Sequence, residues 1–448
     1  MTKVTPIKSP PSPLMLLQQK FCLVKMAGEI WVIERPVAAS SWSSIGAPEL
    51  QFYKTPAARV LMGRYLETVA DQSDPKKLID QFLISPSTTL YDHIAFSPLP
   101  TPSTTLNLWR GCPITPARGD WLIVQRFLLE VICAGDMSMY RYLILFLSHM
   151  IQKPEDKPGI MIVLLGGEGI GKGGFFRLLS AIWPETSLLV SDISHVLGQF
   201  NAELERSYVL CMDEALFVGD KRSGDRLKSF VTEPTVTIEQ KFQPRRTIES
   251  FHRLFAASNH AHFAKVDADD RRFLFLRVSE VKMGDYSFWD QYHAAVADPA
   301  ILAAIVHDLQ TYDIAAFNPR VRPKTAAHVD QKIRSLSGFD RYWYEVLSSG
   351  AIDVENLFLS ELTWDGAPFV STQRLTKAWQ AYDKHGRHQF STSQERDLHE
   401  VIARLCPSAT RKRKVTDGCQ QRGYDLPLLP RARAEFDDFI GGGTEWDD

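Results

Sequence analysis

The sequence lacks closely paired cysteines, long apolar runs and an excess of charge of either sign. Its six cysteines are scattered, with no pair at the spacing of a zinc ribbon or a redox motif, which favours a reducing compartment. The most apolar helical stretch, 140–151, contains polar residues and is too short to cross a bilayer, and the chain starts without a recognisable signal peptide. We therefore expect no membrane partner. A formal net charge of -2 requires that any contact with nucleic acid come from local basic patches.

Length and patterning predict several domains, because 448 residues exceed what one core usually holds. Two β-rich runs around Gly28 predict a hairpin over 21–35, in a small α+β module at 1–105 of unknown role. Apolar residues at helical spacing over 120–152, broken at Gly135-Asp136, predict two helices in a segment at 106–158 that precedes the core. Short apolar strands then alternate with helical patterns, and we assign 159–312 to an α/β core with a largely parallel sheet.

The remaining residues, 313–448, are predicted to form a separate helical domain. A long helix is expected over 326–348, and the Gly-rich, acidic tail at 441–448 is expected to be disordered. Helices over 373–382 and 395–405, followed by a basic turn, fit a winged-helix-like arrangement. The cations of that turn are candidates for DNA contact: Arg411, Lys412, Arg413 and Lys414.

The strongest motif is a glycine-rich loop between the apolar run IMIVLL (160–165) and the helical pattern FFRLLSAIW. It consists of Gly166, Gly167, Glu168, Gly169, Ile170, Gly171, Lys172 and Gly173. Strand, glycine loop and helix in this order are typical of a P-loop, whose backbone N–H groups and lysine hold the phosphates of ATP. Lys172 is expected to be an exposed phosphate ligand rather than a core residue. The alternative is a glycine-rich turn that binds nothing.

One position departs from the P-loop pattern. Gly173 stands where Ser or Thr usually holds Mg²⁺. Metal coordination is then expected to depend more on water, on the nucleotide and on an acidic residue downstream.

Polar residues follow two further apolar strands. The run YVLCM (208–212) ends in Asp213 and Glu214, a Walker B pattern in which the first acid orients Mg²⁺ through water and the second polarises the attacking water. The run RLFAA (253–257) leads to Asn259, which fits a sensor that hydrogen-bonds the lytic water or the γ-phosphate. The alternatives are an acid pair that solvates a strand end and an Asn that forms a turn.

Two basic segments accompany these motifs. Arg271 and Arg272 precede an apolar strand and fit an arginine finger presented to a neighbouring subunit, with an ion pair to Asp269 or Asp270 as the alternative. Alternating runs over 235–249 predict a hairpin whose tip carries Lys241, Arg245 and Arg246. Three cations at one tip suit phosphate contact with DNA in a channel, and a solvated basic loop is the alternative.

The order of these motifs resembles superfamily 3 AAA+ helicases, and more closely the phage and plasmid primase-helicase family, which is similar to the poxvirus primase-helicase ATPase. The resemblance covers about residues 106–280, including LNLWRGCPITPARGDW (106–121), SHMIQKPEDKPG (148–159), DISHVLGQFNAELERSYVLCMDEA (192–215) and RRFLFLRV (271–278). It implies a ring, usually a hexamer, with ATP and Mg²⁺ at subunit interfaces. It also implies that glycine is tolerated after the P-loop lysine.

By this resemblance Lys172 binds phosphate, Asp213 binds the metal, Glu214 activates water, Asn259 is the sensor and one of the two arginines acts in trans. The implied function is an ATP-dependent replicative DNA helicase of a mobile element, at work in the cytoplasm of a bacterial host with a separate primase or polymerase as a further partner. A primase activity of its own is not expected, because the first hundred residues show no clustered acidic triad. The alternatives are a non-processive initiator or helicase loader, and a P-loop ATPase of phage defence or packaging.

Overall fold

The computed structural model describes residues 11–26, 28–35, 51–69, 74–191, 193–198, 201–213, 221–241, 245–260, 263, 270–352, 364, 366–382, 394–416 and 418–446. Within that part of the chain, no helix is long and apolar enough to cross a membrane.

The N-terminal elements form a four-stranded sheet with helices on one face, and a separate two-stranded parallel sheet. In chain order they are α1 (Pro13–Lys20), β1 (Phe21–Met26), β2 (Glu29–Glu34), β3 (Phe52–Tyr53), α2 (Thr55–Val69), α3 (Pro75–Ile84), β4 (Leu90–Tyr91), β5 (His93–Ala95) and β6 (Thr105–Asn107). β1 and β2 pair antiparallel, so the hairpin predicted over 21–35 is confirmed. Alternate residues of β1 divide between two cores: Phe21 and Leu23 pack with the three helices, whereas Cys22 and Val24 join the main core of the chain.

Two helices lead into the central sheet, as predicted. They are α4 (Leu122–Arg126), which continues into a π-helical turn at Phe127–Ile132, and α5 (Met137–Gln152). Asp136 caps α5 by accepting hydrogen bonds from the backbone N–H groups of Ser138 and Met139. The π-helical turn was not predicted, and its Phe127 packs against Trp289 and Tyr292.

The central sheet has five parallel strands in the order β13-β7-β12-β9-β8, which confirms the predicted α/β core with a parallel sheet. The elements of this region are β7 (Met161–Leu165), α6 (Lys172–Ile182), β8 (Ser187–Val190), α7 (Ser194–Leu197), β9 (Val209–Met212), α8 (Lys221–Thr232), β10 (Thr235–Ile238), β11 (Arg246–Glu249), β12 (Arg253–Ser258) and β13 (Phe273–Arg277). β7 is buried throughout, with Ile162 and Leu164 in the main core and Met161 and Val163 in a second core on the other face.

The C-terminal elements are mostly helical. They are α9 (Tyr286–Ala297), α10 (Pro299–Thr311), α11 (Ala326–Ser335), α12 (Gly338–Ser349), β14 (Phe369–Ser371), α13 (Thr372–Tyr382), α14 (Gln394–Leu405), β15 (Thr410–Thr416), β16 (Cys419–Asp425) and α15 (Leu429–Ile440). The strands form an antiparallel sheet in the order β14-β16-β15. The two helices predicted before the basic segment are confirmed as α13 and α14.

Three predictions for this region are wrong in detail. The long helix expected over 326–348 is two helices, because Leu336 leaves the helical conformation with φ -61° and ψ 142°. Arg411 to Lys414 lie in strand β15 rather than in a turn, since each pairs with a residue of β16. The described part of the tail, 441–446, packs on the protein, because Trp446 donates a hydrogen bond to Asp437 at 3.2 Å and contacts Phe436.

Candidate nucleotide site

The glycine-rich loop connects the buried strand β7 to helix α6 at the carboxyl edge of the sheet. Two glycines are required by its shape. Gly166 has φ +151° and a Cβ there would lie 2.4 Å from Ile170 Cδ1; Gly171 has φ +112° and a Cβ there would lie 2.4 Å from Trp289 Cη2. No side chain caps the start of α6 at Gly171, so the helix N-terminus is directed into the loop without a competing side-chain oxygen.

Lys172 lies inside this loop. Its side-chain amine donates hydrogen bonds to the carbonyl of Gly166 at 2.7 Å, to the carbonyl of Gly167 and to Asn259 Oδ1 at 2.5 Å. Only 7% of the residue is exposed, so the expectation of an exposed ligand is wrong. The physical reason is that the backbone curls around the ammonium group and supplies the acceptors that a buried charge requires.

Three strand ends meet at this edge. Leu165, the last residue of β7, is in register with Ser258 of β12 on one side and with Arg277 of β13 on the other. Asn259 therefore follows β12 beside the loop, where its amide also donates to Glu168 at 3.5 Å. The structure thus brings Lys172 and Asn259 together at the loop.

The acidic pair is only partly described. Asp213 follows β9, the next strand beyond β12, and is half-buried, with its backbone N–H bonded to Val190 O at 2.8 Å. Glu214 lies outside the described residues. Among the described residues no cluster of three or more His, Cys, Asp or Glu side chains could hold a metal ion.

An open cleft of about 490 Å³ lies beside the loop. Its lining consists of Leu165, Gly166, Gly167, Asn259, His260, Arg277, Val278, Glu280, Gln331 and Arg334. Sequence reasoning missed the charged residues of this lining. Arg277 and Glu280 could have been found, because Arg277 ends the strand next to the P-loop strand and Glu280 follows three residues later. Arg334 comes from α11, about 160 residues downstream, and no local pattern marks it.

The two candidate finger residues differ from each other. Arg272 forms an ion pair with the buried Asp270 at 3.5 Å and donates its backbone N–H to the same carboxylate at 2.9 Å. Arg271 is exposed, and in the described part of the chain no hydrogen bond or ion pair holds it. Both precede β13, so the length of that five-residue strand, roughly 16 Å, separates them from the loop edge of their own subunit.

The predicted hairpin over 235–249 is confirmed, since β10 and β11 pair antiparallel from Thr235–Glu249 to Ile238–Arg246. Lys241 and Arg245 are exposed near the tip, and Arg245 contacts Glu239 at 3.0 Å. Residues 242–244 lie outside the described part of the chain.

Arg246 is not at the tip, which corrects the prediction for that residue. It belongs to β11 and binds both carboxylate oxygens of Glu205, at 2.6 Å and 2.5 Å, with side-chain exposures of 15% and 4%. Its guanidinium also lies 5.3 Å from the ring centre of Phe52 in the N-terminal sheet. The Arg246 side chain makes contacts within the protein because strand β11 directs it inward.

Comparisons with known proteins found one family model, a relative in a phage and several solved structures. Residues 164–272 match a family model described as a family of unknown function (DUF5906). The chain is 26% identical over 193 residues to a DNA primase-polymerase of Nitratiruptor phage NrS-1; the match covers 41% of this chain and spans about a quarter (26%) of that relative.

Solved structures of the C-terminal region of the NrS-1 protein share the fold. The apo form of that region (305–718) matches with a TM-score of 0.65 at 14% identity, over 93% of this chain and 100% of the other. A second apo form gives a TM-score of 0.66 at 15% identity, over 92% and 98% of the two chains. Part of the chain is therefore similar in sequence to part of a phage DNA primase-polymerase, and the chain is similar in fold to the C-terminal region of the NrS-1 protein.

Proposed function

We propose that this chain is an ATP-hydrolysing DNA motor of the AAA+ type, similar to superfamily 3 helicases, that serves the replication of a phage or another mobile element in the cytoplasm of its bacterial host. The observation that carries the proposal is the meeting of Lys172 and Asn259 at the glycine loop. A phosphate-binding amine in contact with an amide on the neighbouring strand is the arrangement that links the γ-phosphate to the rest of the chain. The similarity to a phage DNA primase-polymerase supports the replication role.

The loop has the chemistry for binding a triphosphate. The N-terminus of α6 supplies positive potential, and the Lys172 amine exchanges the carbonyls of Gly166 and Gly167 for phosphate oxygens. Arg334 borders the same cleft and adds positive charge beside the phosphates, whereas Arg277, which also borders it, forms an ion pair with Asp330. Asn259, released from Lys172 by that exchange, becomes available to the γ-phosphate or to the lytic water.

Magnesium, when bound with the nucleotide, supplies charge neutralisation at the phosphates. Asp213 would hold it through water, and Glu214 is the proposed base. Gly173 contributes no hydroxyl, although a Cβ at this position meets no atom within 4 Å. The residues fit a weakly held ion that depends mainly on water and on the nucleotide.

Assembly into a ring is proposed from the location of Arg271. It is exposed at the amino ends of the parallel strands, whereas the loop lies at their carboxyl ends, so it is directed away from the nucleotide of its own subunit. A homohexamer, in which this edge faces the loop of the next subunit, would use it as the finger. Lys241 and Arg245 of the hairpin are the proposed contacts with single-stranded DNA in the channel.

The test is an ATPase assay with and without single-stranded DNA, beside strand displacement on forked DNA. We expect Lys172→Ala to lower ATP turnover by about 10²- to 10³-fold, as loss of a transition-state donor does. Glu214→Gln should bind ATP and turn it over slowly. Lys324→Ala is the matched control, because this lysine is exposed and is not part of the cleft lining. Full turnover by Lys172→Ala would overturn the assignment, and ATPase activity without strand displacement would favour an initiator or loader.

A further inference from the structure

The hairpin of β15 and β16 has two chemically different faces. Residues directly opposite each other in an antiparallel pair lie on the same face, and successive residues alternate between faces. Arg411 pairs with Tyr424 and Arg413 pairs with Arg422, so these four residues share one face. Lys412 and Lys414, which pair with Gly423 and Gln421, lie on the other.

The two lysines share one carboxylate of the protein, which offsets part of their charge. Lys412 Nζ lies 2.9 Å from Asp425 Oδ2, and Lys414 Nζ lies 2.6 Å from Asp425 Oδ1. The hydrogen bonds from Lys414 and Lys412 hold the pKa of the Asp425 carboxyl below its usual range. Lys414 also lies 5.2 Å from the ring centre of Phe369. Both lysines are therefore held against the sheet of their own domain.

The arginine face has no such partner. Arg411, Arg413 and Arg422 are all exposed, and within the described residues no side-chain hydrogen bond or ion pair holds any of their guanidinium groups. Arg413 and Arg422 are directly opposite, and like charges in that position destabilise a sheet. An anion outside the chain would relieve this repulsion.

The neighbouring helix α14 indicates which kind of anion would bind this face. Tyr424, on the arginine face, is buried, and its ring lies 6.1 Å from that of His399 in α14 at an angle of 26°. The arginines therefore extend the surface beside α14. A helix flanked by a basic strand pair matches duplex DNA, whose major groove accepts a helix while its backbone accepts cations.

We propose that Arg411, Arg413 and Arg422 form a phosphate-binding face for duplex DNA, and that Lys412 and Lys414 take no part in it. This inference rests on the proposed action on DNA but concerns the duplex rather than the single strand assigned to the hairpin at Lys241 and Arg245. It narrows the sequence prediction, in which all four cations from Arg411 to Lys414 contact DNA, and it adds Arg422.

The test is the binding of the full chain to a blunt, fluorescently labelled DNA duplex at several salt concentrations. Two charge-matched double variants are compared: Arg411→Gln with Arg413→Gln, and Lys412→Gln with Lys414→Gln. Each phosphate contact contributes about 0.9 to the slope of log affinity against log salt, so the arginine variant should flatten the slope by about 1.8. Adding Arg422→Gln should bring the loss to about 2.7, whereas the lysine variant should keep the wild-type slope.

Equal losses in both double variants would mean that bulk charge rather than one face binds DNA, and would overturn the proposal. An unchanged slope in the arginine variants would also overturn it. Thermal unfolding provides a check on the fold: Arg413→Gln should unfold at or above the wild-type temperature because a like-charge pair is removed. ATPase activity distinguishes this inference from the proposed function. If the wild type hydrolyses no ATP, the proposed motor is refuted, but the salt slopes of the variants still test the arginine face.

Discussion

Replacing Arg246 by Met tests whether this arginine stabilises the fold or contacts DNA, as the sequence predicts for it and its neighbours. The guanidinium binds Glu205 through two hydrogen bonds, and both side chains are largely buried, with exposures of 15% and 4%. Met keeps an apolar stem of similar length beside Phe52 but removes the charge. The Glu205 carboxylate would then remain buried without its cation.

The expected loss follows from that orphaned charge. Breaking a buried ion pair by removing one partner costs about 3 to 5 kcal/mol in the free energy of unfolding. Replacing both partners, by Arg246→Met with Glu205→Leu, should recover most of this, because well-packed apolar groups can substitute for a buried pair. The matched control is Arg245→Met, since Arg245 is 68% exposed and its contact with Glu239 is at the surface, where such pairs contribute little.

The assay combines urea unfolding with the salt dependence of single-stranded DNA binding. Arg246→Met should unfold at lower urea and keep the wild-type salt slope. Arg245→Met should unfold at the wild-type urea concentration and should flatten the salt slope by about 0.7. If Arg246→Met is as stable as the wild type and flattens the slope, then the residue is at the DNA interface and the structural argument is refuted.

Three further predictions concern the loop, the subunit interface and acid stability. Gly171→Ala should destabilise the chain strongly, because its Cβ would lie 2.4 Å from Trp289. Gly169→Ala, at φ +72° with no atom within 4 Å, should lower the free energy of unfolding only by the backbone cost of about 1 to 2 kcal/mol. Urea unfolding of the two variants checks the difference. Arg271→Ala mixed with Lys172→Ala should regain ATP turnover, because a mixed interface pairs an intact loop with an intact arginine, and no rescue in demonstrably mixed rings would exclude Arg271 as the finger. Arg272→Ala should instead lose stability, since it leaves the Asp270 carboxylate buried without its cation. Burial lowers the pKa of His252 from 6.5 to about 3, so the unfolded chain takes up a proton first as the pH falls, and the stability present above pH 6.5 is lost toward pH 3. This amounts to about 2 kcal/mol between pH 7 and pH 5, and a His252→Gln variant that shows the same pH dependence of unfolding would contradict it.

Local patterns predicted the elements that local chemistry determines. The glycine loop after an apolar strand, the hairpins at 21–35 and 235–249 and the helices α13 and α14 all follow from periodicity and turn residues. The approach of Asn259 to Lys172 was predictable because parallel strands end at the same edge of a sheet.

Tertiary contacts determine what the sequence could not predict. The burial of Lys172 depends on how the loop closes, and the pairing of Arg246 depends on Glu205, which lies 41 residues earlier. Arg334 reaches the cleft from a helix whose own pattern indicates only amphipathicity. The alternation of Arg411 and Lys412 on two faces required knowing that the segment is a strand rather than a turn.

The N-terminal sheet has a consequence for how this protein can change over evolution. Cys22 and Val24 of β1 and Trp31 and Ile33 of β2 belong to the same hydrophobic core as α5 and β7. A chain shortened to begin at residue 106 would leave that core open to water, and the exposed apolar surface would favour aggregation. The N-terminal sheet and the central sheet therefore depend on each other, and a relative with a different N-terminal part would need another apolar surface to cover the same side.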